Sequence, residues 1–281
     1  MCKECGATVL REHKPGKWQR MLFQEYTFGK QTLKQLAKKH GKTEKTIQKY
    51  LDSPHVVKTK VQMPQPVVLG MDCSFFGRGY GIIVARSPGL KKNLHWKEIT
   101  TENKAVYQAA RQCLEEAGFN IQAVILDAKH GVKEVFSDLV VQICQYHQQQ
   151  IVTRYLTTRP KTEAGQDLKL ISDSLTTLDE ESFRECLEQW HEKWEKFLKE
   201  RTYASDHKHW WYTHGRLRSA YRSLNTNMPN LFTYLKYPEL HIPNTNNSLE
   251  GYFSRIKQLL NNHHGLKKWR RYRLIEAILN D

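Results

Sequence analysis

No run of eighteen apolar residues occurs in the 281-residue sequence, so no segment reads as a membrane-spanning helix. The start, MCKECGATVL, lacks the charged-then-apolar pattern of a secretory signal. The expectation is therefore a soluble, intracellular protein with no membrane partner. A disulfide framework is missing too, because the six cysteines, Cys2, Cys5, Cys73, Cys113, Cys144 and Cys186, are scattered irregularly over a long chain. Nor is there a second C-x-x-C. Cys2 and Cys5 supply two of the four ligands of a tetrahedral zinc site, so residues 1–16 read as a partial zinc-ribbon-like remnant, its other half upstream or lost. Zinc is possible there but not favoured.

Acidic charge is scarce at the two ends. Residues 1–60 carry 14 Lys/Arg against 5 Asp/Glu and residues 251–281 carry 7 against 2, while the stretch between them holds 23 against 22. Two basic ends around a neutral body point to a polyanion gripped by separate elements. A basic surface that serves only solubility is the plain alternative.

The first basic end has a pattern. In KQTLKQLAKKHGKTEKTIQKYLD, Leu33, Leu36 and Ala37 fall at helical spacing, Gly41 breaks the run and Thr43 caps the next. Ile47, Tyr50 and Leu51 repeat the spacing. With an earlier helix around Trp18–Tyr26, residues 17–53 read as an all-α helix-turn-helix unit. Lys45, Thr46 and Lys49 face outward from its second helix, where they would reach DNA phosphates and base edges. Such helix pairs also occur as plain packing units. The proline-bearing stretch 54–65 reads as a linker.

The period then changes. PVVLGMDCSFF, GYGIIVARS and LHWKEITT read as three strands of a meander, and ENKAVYQAARQCLEEAG as a helix closed by Gly118. IQAVILDAKHG reads as a strand buried on both faces, VKEVFSDL as a helix and VVQICQYH as a fifth strand. The order is βββαβαβ, an α/β class. Asp72 lies inside the first apolar strand and Asp127 ends the fourth. A right-handed crossover that made those strands parallel would bring both acids to one region of the sheet, where a divalent cation relieves their repulsion. Alternatively, Asp72 faces solvent at a strand edge and Asp127 caps the following helix.

From 159 to 241 the pattern is helical. Phe183, Leu187, Trp190, Trp194 and Phe197 form one stripe, and HWWYTHGRLRSAYRSL adds further aromatics. These are expected as bundle core rather than base-stacking surfaces, with Arg216, Arg218 and Arg222 as DNA contacts. After the polar run IPNTNNS, Glu250 opens an amphipathic helix whose stripe is Leu249, Phe253, Ile256 and Leu260. Glu250 could complete a capping box from Asn247, or hold metal.

Asp72 in the first strand, Asp127 after the fourth, Cys144-x-x-His147 beyond it and Glu250 after NTNNS together resemble the DDE transposases of bacterial insertion sequences allied to the Mutator-like elements. The resemblance covers about residues 66–275. It implies an RNase H-like catalytic domain built from 66–158 and 242–281, interrupted by an all-α insertion at 159–241 and preceded by the helix-turn-helix. It implies DNA cleavage and strand transfer with Asp72, Asp127 and Glu250 as catalytic residues and ligands of two Mg²⁺ or Mn²⁺ ions. Cys144, His147 and Asn247 would be accessory near the active site, Cys144 and His147 being softer donors than those ions prefer; a buried strand-end pair is the alternative for these two. Lys267, Lys268, Arg270, Arg271 and Arg273 of the last helix would hold phosphates. The implied partners are double-stranded DNA, both element end and target, and at least one further copy of the chain, in the cytoplasm at the nucleoid. A non-cleaving helix-turn-helix regulator and an RNase H-like nuclease or resolvase remain the competing readings.

Overall fold

The computed structural model describes residues 16–52, 63–129, 131–205, 208–263 and 266–279. The Cys2–Cys5 pair and most of the expected linker lie outside them. The chain divides into two compact units: Met63–Glu250, and a smaller one made from both ends, residues 16–52 and 251–279 among those described. Among the described residues no helix is long and apolar enough to cross a membrane.

The larger unit is mixed α/β. Its five-stranded sheet has the order β3-β2-β1-β4-β5, from β1 (Pro66–Gly77), β2 (Tyr80–Ser87), β3 (Lys92–Ile99), β4 (Asn120–Leu126) and β5 (Val140–Ile143). Short turns make β1–β2 and β2–β3 antiparallel, whereas β4 and β5 return parallel to β1 and to each other. The return to β4 passes through helix α4 (Lys104–Glu116), capped by the Asn103 side chain and burying Tyr107, Ala110 and Leu114 on one stripe. Gly118 ends it at φ +85, a left-handed conformation that favours glycine. The βββα order and both central strands agree with the sequence pattern.

The next segment does not. VKEVFSDL makes only a 3-10 turn, Lys133–Phe136, since few residues separate β4 from β5 and Phe136 is spent as a buried anchor. β5 stops at Ile143, and Cys144 caps a helix, α5 (Gln145–Leu156), that takes the residues expected as the end of a strand. The switch is visible in the backbone: Cys144 N–H makes a ladder bond to the Leu126 carbonyl at 2.8 Å, and the Cys144 carbonyl then accepts the helical bond from Gln148 N–H at 3.0 Å.

Helices α6 (Glu163–Asp173), α7 (Glu180–Lys199), α8 (Gly215–Leu231) and α9 (Thr233–Lys236) complete the unit. Phe183, Leu187 and Trp190 of α7 are buried as expected. The region is not wholly helical, because Arg201–Tyr203 (β6) and Trp210–Tyr212 (β7) pair as a two-stranded antiparallel ribbon. Trp210 and Trp211 are exposed there, at 43% and 53%, which corrects their expected place in the core. Consecutive residues point to opposite faces of the ribbon and both are exposed, so neither face of the ribbon is fully covered there and aromatic content alone does not bury them.

A layer of buried amides fastens α8 and α9 to β5 and α5. The Gln142 side-chain amide donates to the carbonyls of Ile143 and Leu231 at 2.7 and 2.9 Å, and its oxygen accepts from Tyr234 N–H at 2.9 Å. Gln145 donates to the same Leu231 carbonyl at 3.0 Å, and Gln148 bonds Ser223 and Asn227. Gln142 and Gln145 satisfy backbone groups that would otherwise be buried unpaired, and Gln148 pairs with side chains of α8.

In the smaller unit, α1 (Lys17–Thr27), α2 (Leu33–His40) and α3 (Glu44–Leu51) pack around Leu22, Tyr26, Leu36, Ala37 and Ile47. Thr32 and Thr43 cap α2 and α3, and Gly41 (φ +59) ends α2, as the sequence pattern requires. The division between units falls inside α10 (Asn247–Asn261), directly after Glu250, so the remainder of α10 and α11 (Lys268–Leu279) group with α1–α3 instead of staying in one piece with 242–250. His263 stacks on Tyr26 at 3.9 Å, and Arg270 makes a two-pronged pair with Asp52 at 2.6–2.7 Å. The buried stripe of α10 ends on Leu259; Leu260 is only half-buried.

Replacing Gln142 with Leu removes three hydrogen bonds and leaves the Tyr234 N–H buried without a partner. We expect a loss of about 2–3 kcal/mol in chemical denaturation; a change under about 0.5 kcal/mol would show that the amide layer contributes little.

Candidate metal centre

Parallel pairing places the first two acids. Gly70 of β1 lies opposite Ile125 of β4, so two residues further along, Asp72 comes level with Asp127, just past the C-terminal end of β4 in the middle of the sheet. Asp72 is 9% exposed and does not face solvent, and Asp127 caps no helix, since the next helical turn starts at Lys133 with Val132 at its cap position. Glu250 arrives from α10 and His147 from the first turn of α5. His147 Nδ1 stands 2.6 Å from Asp127 Oδ1 and 3.5 Å from Glu250 Oε1. One donor atom each from Asp72, Asp127 and His147 lies within 4.8 Å of the others, and the same holds for Cys144, His147 and Glu250.

These atoms converge without bonding one another. Asp127 Oδ1, His147 Nδ1 and Glu250 Oε1 are all buried and lack a hydrogen-bond partner, so the 2.6 Å approach is a charge contact off the line of the ring N–H. Native proteins rarely leave three adjoining polar atoms in that state unless something else engages them. The open oxygens of Asp127 and Glu250, with Asp72 beside Asp127 and its Oδ1 taken by the Cys73 N–H at 2.6 Å, fit a hard divalent cation held by the three acids.

Burial, then the neighbouring Asp127 charge, pushes the Asp72 carboxyl up to about 8. Burial also raises Glu250, with His147 opposing and Asp127 adding to the shift. Burial pulls His147 down, but its contacts with Asp127 and Cys144 outweigh that and hold it near 11, so the ring is an imidazolium counter-charge among the acids. Behind Asp72, burial raises the Cys73 thiol to about 12. Cys73 faces Tyr107, whose hydroxyl donates to Glu102, itself paired with Lys129 at 2.8 Å.

Glu250 is held from several sides. The Leu249 and Glu250 N–H groups both bond the Asn246 carbonyl, so α10 begins one residue earlier than a cap at Asn247 would allow. Asn247 is exposed, and Glu250 falls outside the capping-box position. Asn246, which sequence reasoning passed over, is 1% exposed. Its N–H donates to Cys144 Sγ at 3.2 Å, and its side chain rests on β1 at Gly70, where any Cβ would collide with Asn246 Oδ1. Arg86 of β2 donates to Ser248 at 3.0 Å, and Asn244 exchanges two bonds with Gln145. The Asn run marked this region, but nothing in its composition distinguishes Asn246 from Asn247.

The expected DNA-contact residues divide. Lys45 and Lys49 are exposed on α3, as are Lys267, Lys268 and Arg222; Thr46 and Arg271 are half-buried. Arg216 donates to the Arg154 carbonyl, and Arg218 to the Leu198 carbonyl while lying 3.6 Å over Tyr212. Arg270 and Arg273 both engage Asp52. These four cations make internal contacts, which a charge count cannot reveal.

No family model matches the sequence, and no curated protein matches it either. Among solved structures, the chain is similar to one from the cryo-EM structure of the simian T-cell lymphotropic virus intasome in complex with PP2A regulatory subunit B56 gamma. That alignment has 13% identity over 56% of this chain and 69% of that one, with a TM-score of 0.23. A likeness at that level carries no argument.

Two outcomes follow from the geometry. Asp72 must lose its proton to bind a cation, so Mg²⁺ or Mn²⁺ affinity, measured by calorimetry, should rise about tenfold per pH unit up to pH 8 and level off above it. Affinity independent of pH between 6 and 8 contradicts the burial of Asp72. Gly70→Ala should displace Asn246 and weaken Mn²⁺ binding while the protein stays folded; unchanged affinity would show that Asn246 does not set the position of Glu250.

Proposed function

We propose that the protein is a DNA transposase of RNase H-like fold, cutting and joining DNA strands at the Asp72–Asp127–Glu250 centre. One observation carries this reading: Asp72 and Asp127, from adjacent parallel strands, bring donor atoms within 4.8 Å of each other, Glu250 reaches the same His147 from a distant helix, and one oxygen each of Asp127 and Glu250 is buried without a hydrogen-bond partner. The strand order β3-β2-β1-β4-β5, with only the first three strands antiparallel, supports the same fold. The three-helix unit with exposed Lys45 and Lys49 supports a helix-turn-helix that reads the element ends.

A pair of Mg²⁺ or Mn²⁺ ions held by the three acids would supply the charge that phosphoryl transfer needs at its attacking and leaving oxygens. The chain's own contribution is placement. Asp72 and Asp127 are fixed by strand register, Glu250 by the Asn246 and Arg86 contacts, and His147 supplies positive charge beside Asp127. Water and then a DNA 3′-hydroxyl would be the successive nucleophiles, with no covalent link to protein. The ribbon aromatics Tyr203, Trp210 and Trp211, with Arg201 lying 3.9 Å over Trp210, present a stacking and cationic surface suited to unpaired bases. A second copy of the chain would pair the two element ends.

Asp127→Asn and Glu250→Gln should each lower Mg²⁺-dependent nicking of a labelled element end about a thousandfold or more, while gel shifts on the same DNA persist. Near-normal nicking by either variant removes the reading; nicking without strand transfer by the unmodified protein converts it to a nuclease. Lys45→Ala should flatten the salt dependence of end binding by about one charge, and an unchanged slope removes α3 from the interface.

A further inference from the structure

The centre contains a second set of donors that the three-acid reading leaves unused. Cys144 caps α5 and His147 lies three residues on, so both side chains come off the same turn. Cys144 is fully buried, and its Sγ lies with a His147 ring nitrogen and a Glu250 oxygen within 4.8 Å of one another. The Nδ1–Oε1 separation of 3.5 Å matches the edge of a tetrahedron with bonds of about 2.0–2.1 Å, which is roughly 3.3 Å. Asp127 Oδ1, at 2.6 Å from the same nitrogen, is closer than two ligands of one ion stand even at right angles, roughly 3.0 Å for bonds of about 2.1 Å. As placed, His147 Nδ1 and Asp127 Oδ1 stand too close to bind one cation together, whereas His147 Nδ1 and Glu250 Oε1 stand at ligand spacing.

We propose that Cys144, His147 and Glu250 form a separate site for a softer cation, Zn²⁺, with its fourth position open. Thiolate and imidazole favour zinc over magnesium, and three protein ligands with one open position is a common zinc arrangement. The Asn246 N–H donating to Sγ supplies the outer contact that orients such a ligand. Binding releases the protons of the thiol and of the ring nitrogen to solvent. Cys73, the other thiol near the acids, is turned to Tyr107 and takes no part. Glu250 belongs to both sets, so zinc here withdraws it from Asp72 and Asp127. On the transposase reading, and only for this consequence, zinc is an inhibitor of Mg²⁺-dependent cleavage.

The probe is Co²⁺, titrated into the full chain carrying Cys2→Ser and Cys5→Ser so that the N-terminal pair cannot contribute. We expect one equivalent to give the visible absorption of tetrahedral cobalt and a near-ultraviolet thiolate-to-cobalt band, both removed by one equivalent of Zn²⁺. Cys144→Ser should abolish the ultraviolet band. Absence of the band in the parent, or its survival in Cys144→Ser, overturns the proposal. Because Cys144 is buried and its variant can fail to fold, Glu250→Gln gives an independent reading: the band remains but cobalt affinity falls at least tenfold, and unchanged affinity overturns the three-residue site. The cobalt spectrum needs no DNA, so this site and the catalytic reading fail separately.

Discussion

Repulsion among carboxylates at the end of one sheet is the constraint around which the larger unit is arranged. With both ionised, two such groups within 4.8 Å would repel by about 3–4 kcal/mol at an effective dielectric near 20, and that repulsion, with burial, is what keeps the Asp72 proton on up to about pH 8. A fold does not keep that arrangement through packing alone. Here β1 and β4 enforce it by register, His147 offsets part of it as an imidazolium, and the Asn244–Ser248 segment holds a third acid beside His147, where it feels the Asp127 charge. The unpartnered oxygens that remain are the feature most directly explained by a cation.

Much of this was legible in the sequence where a local rule governs. Apolar runs of strand length predicted β1–β4, and Gly41 with Thr43 marked the turn between α2 and α3 because left-handed backbone and capping select those residues. The juxtaposition of Asp72 and Asp127 followed from one topological rule, the parallel crossover. Cys144 and His147 were singled out, but their strand was a helix start, because the apolar run VVQIC continues smoothly into a cap that only the backbone bonds reveal.

Other features had no local signature. Gln142, Gln145 and Gln148 are polar in any hydropathy pattern yet fully buried, since their amides pair with α8 and α9 residues some 75 to 92 positions away. Asn246 and Asn247 are chemically identical neighbours, and a one-residue difference in where α10 begins decides which is buried. Arg216, Arg218, Arg270 and Arg273 count as plain surface charge in the sequence, whereas each has a carbonyl or carboxylate partner in the fold. Trp210 and Trp211 were assigned inward on aromatic content, while the ribbon that turns them out is only three residues per strand. In each case the deciding contact lies far away in sequence, or the choice is between equivalent residues.

The donor chemistry sorts by softness across a few ångströms, carboxylates toward β1 and β4 and the thiol toward α5, with His147 and Glu250 at the join. The central claim is that the acids converge in order to hold a hard cation. Anomalous diffraction from crystals soaked in Mn²⁺ tests it most directly. The account predicts a manganese peak in contact with Asp72 and Asp127 at the C-terminal end of β4, with Glu250 completing the protein ligands. A well-ordered centre with no peak there, or a peak that none of the three acids touches, contradicts it.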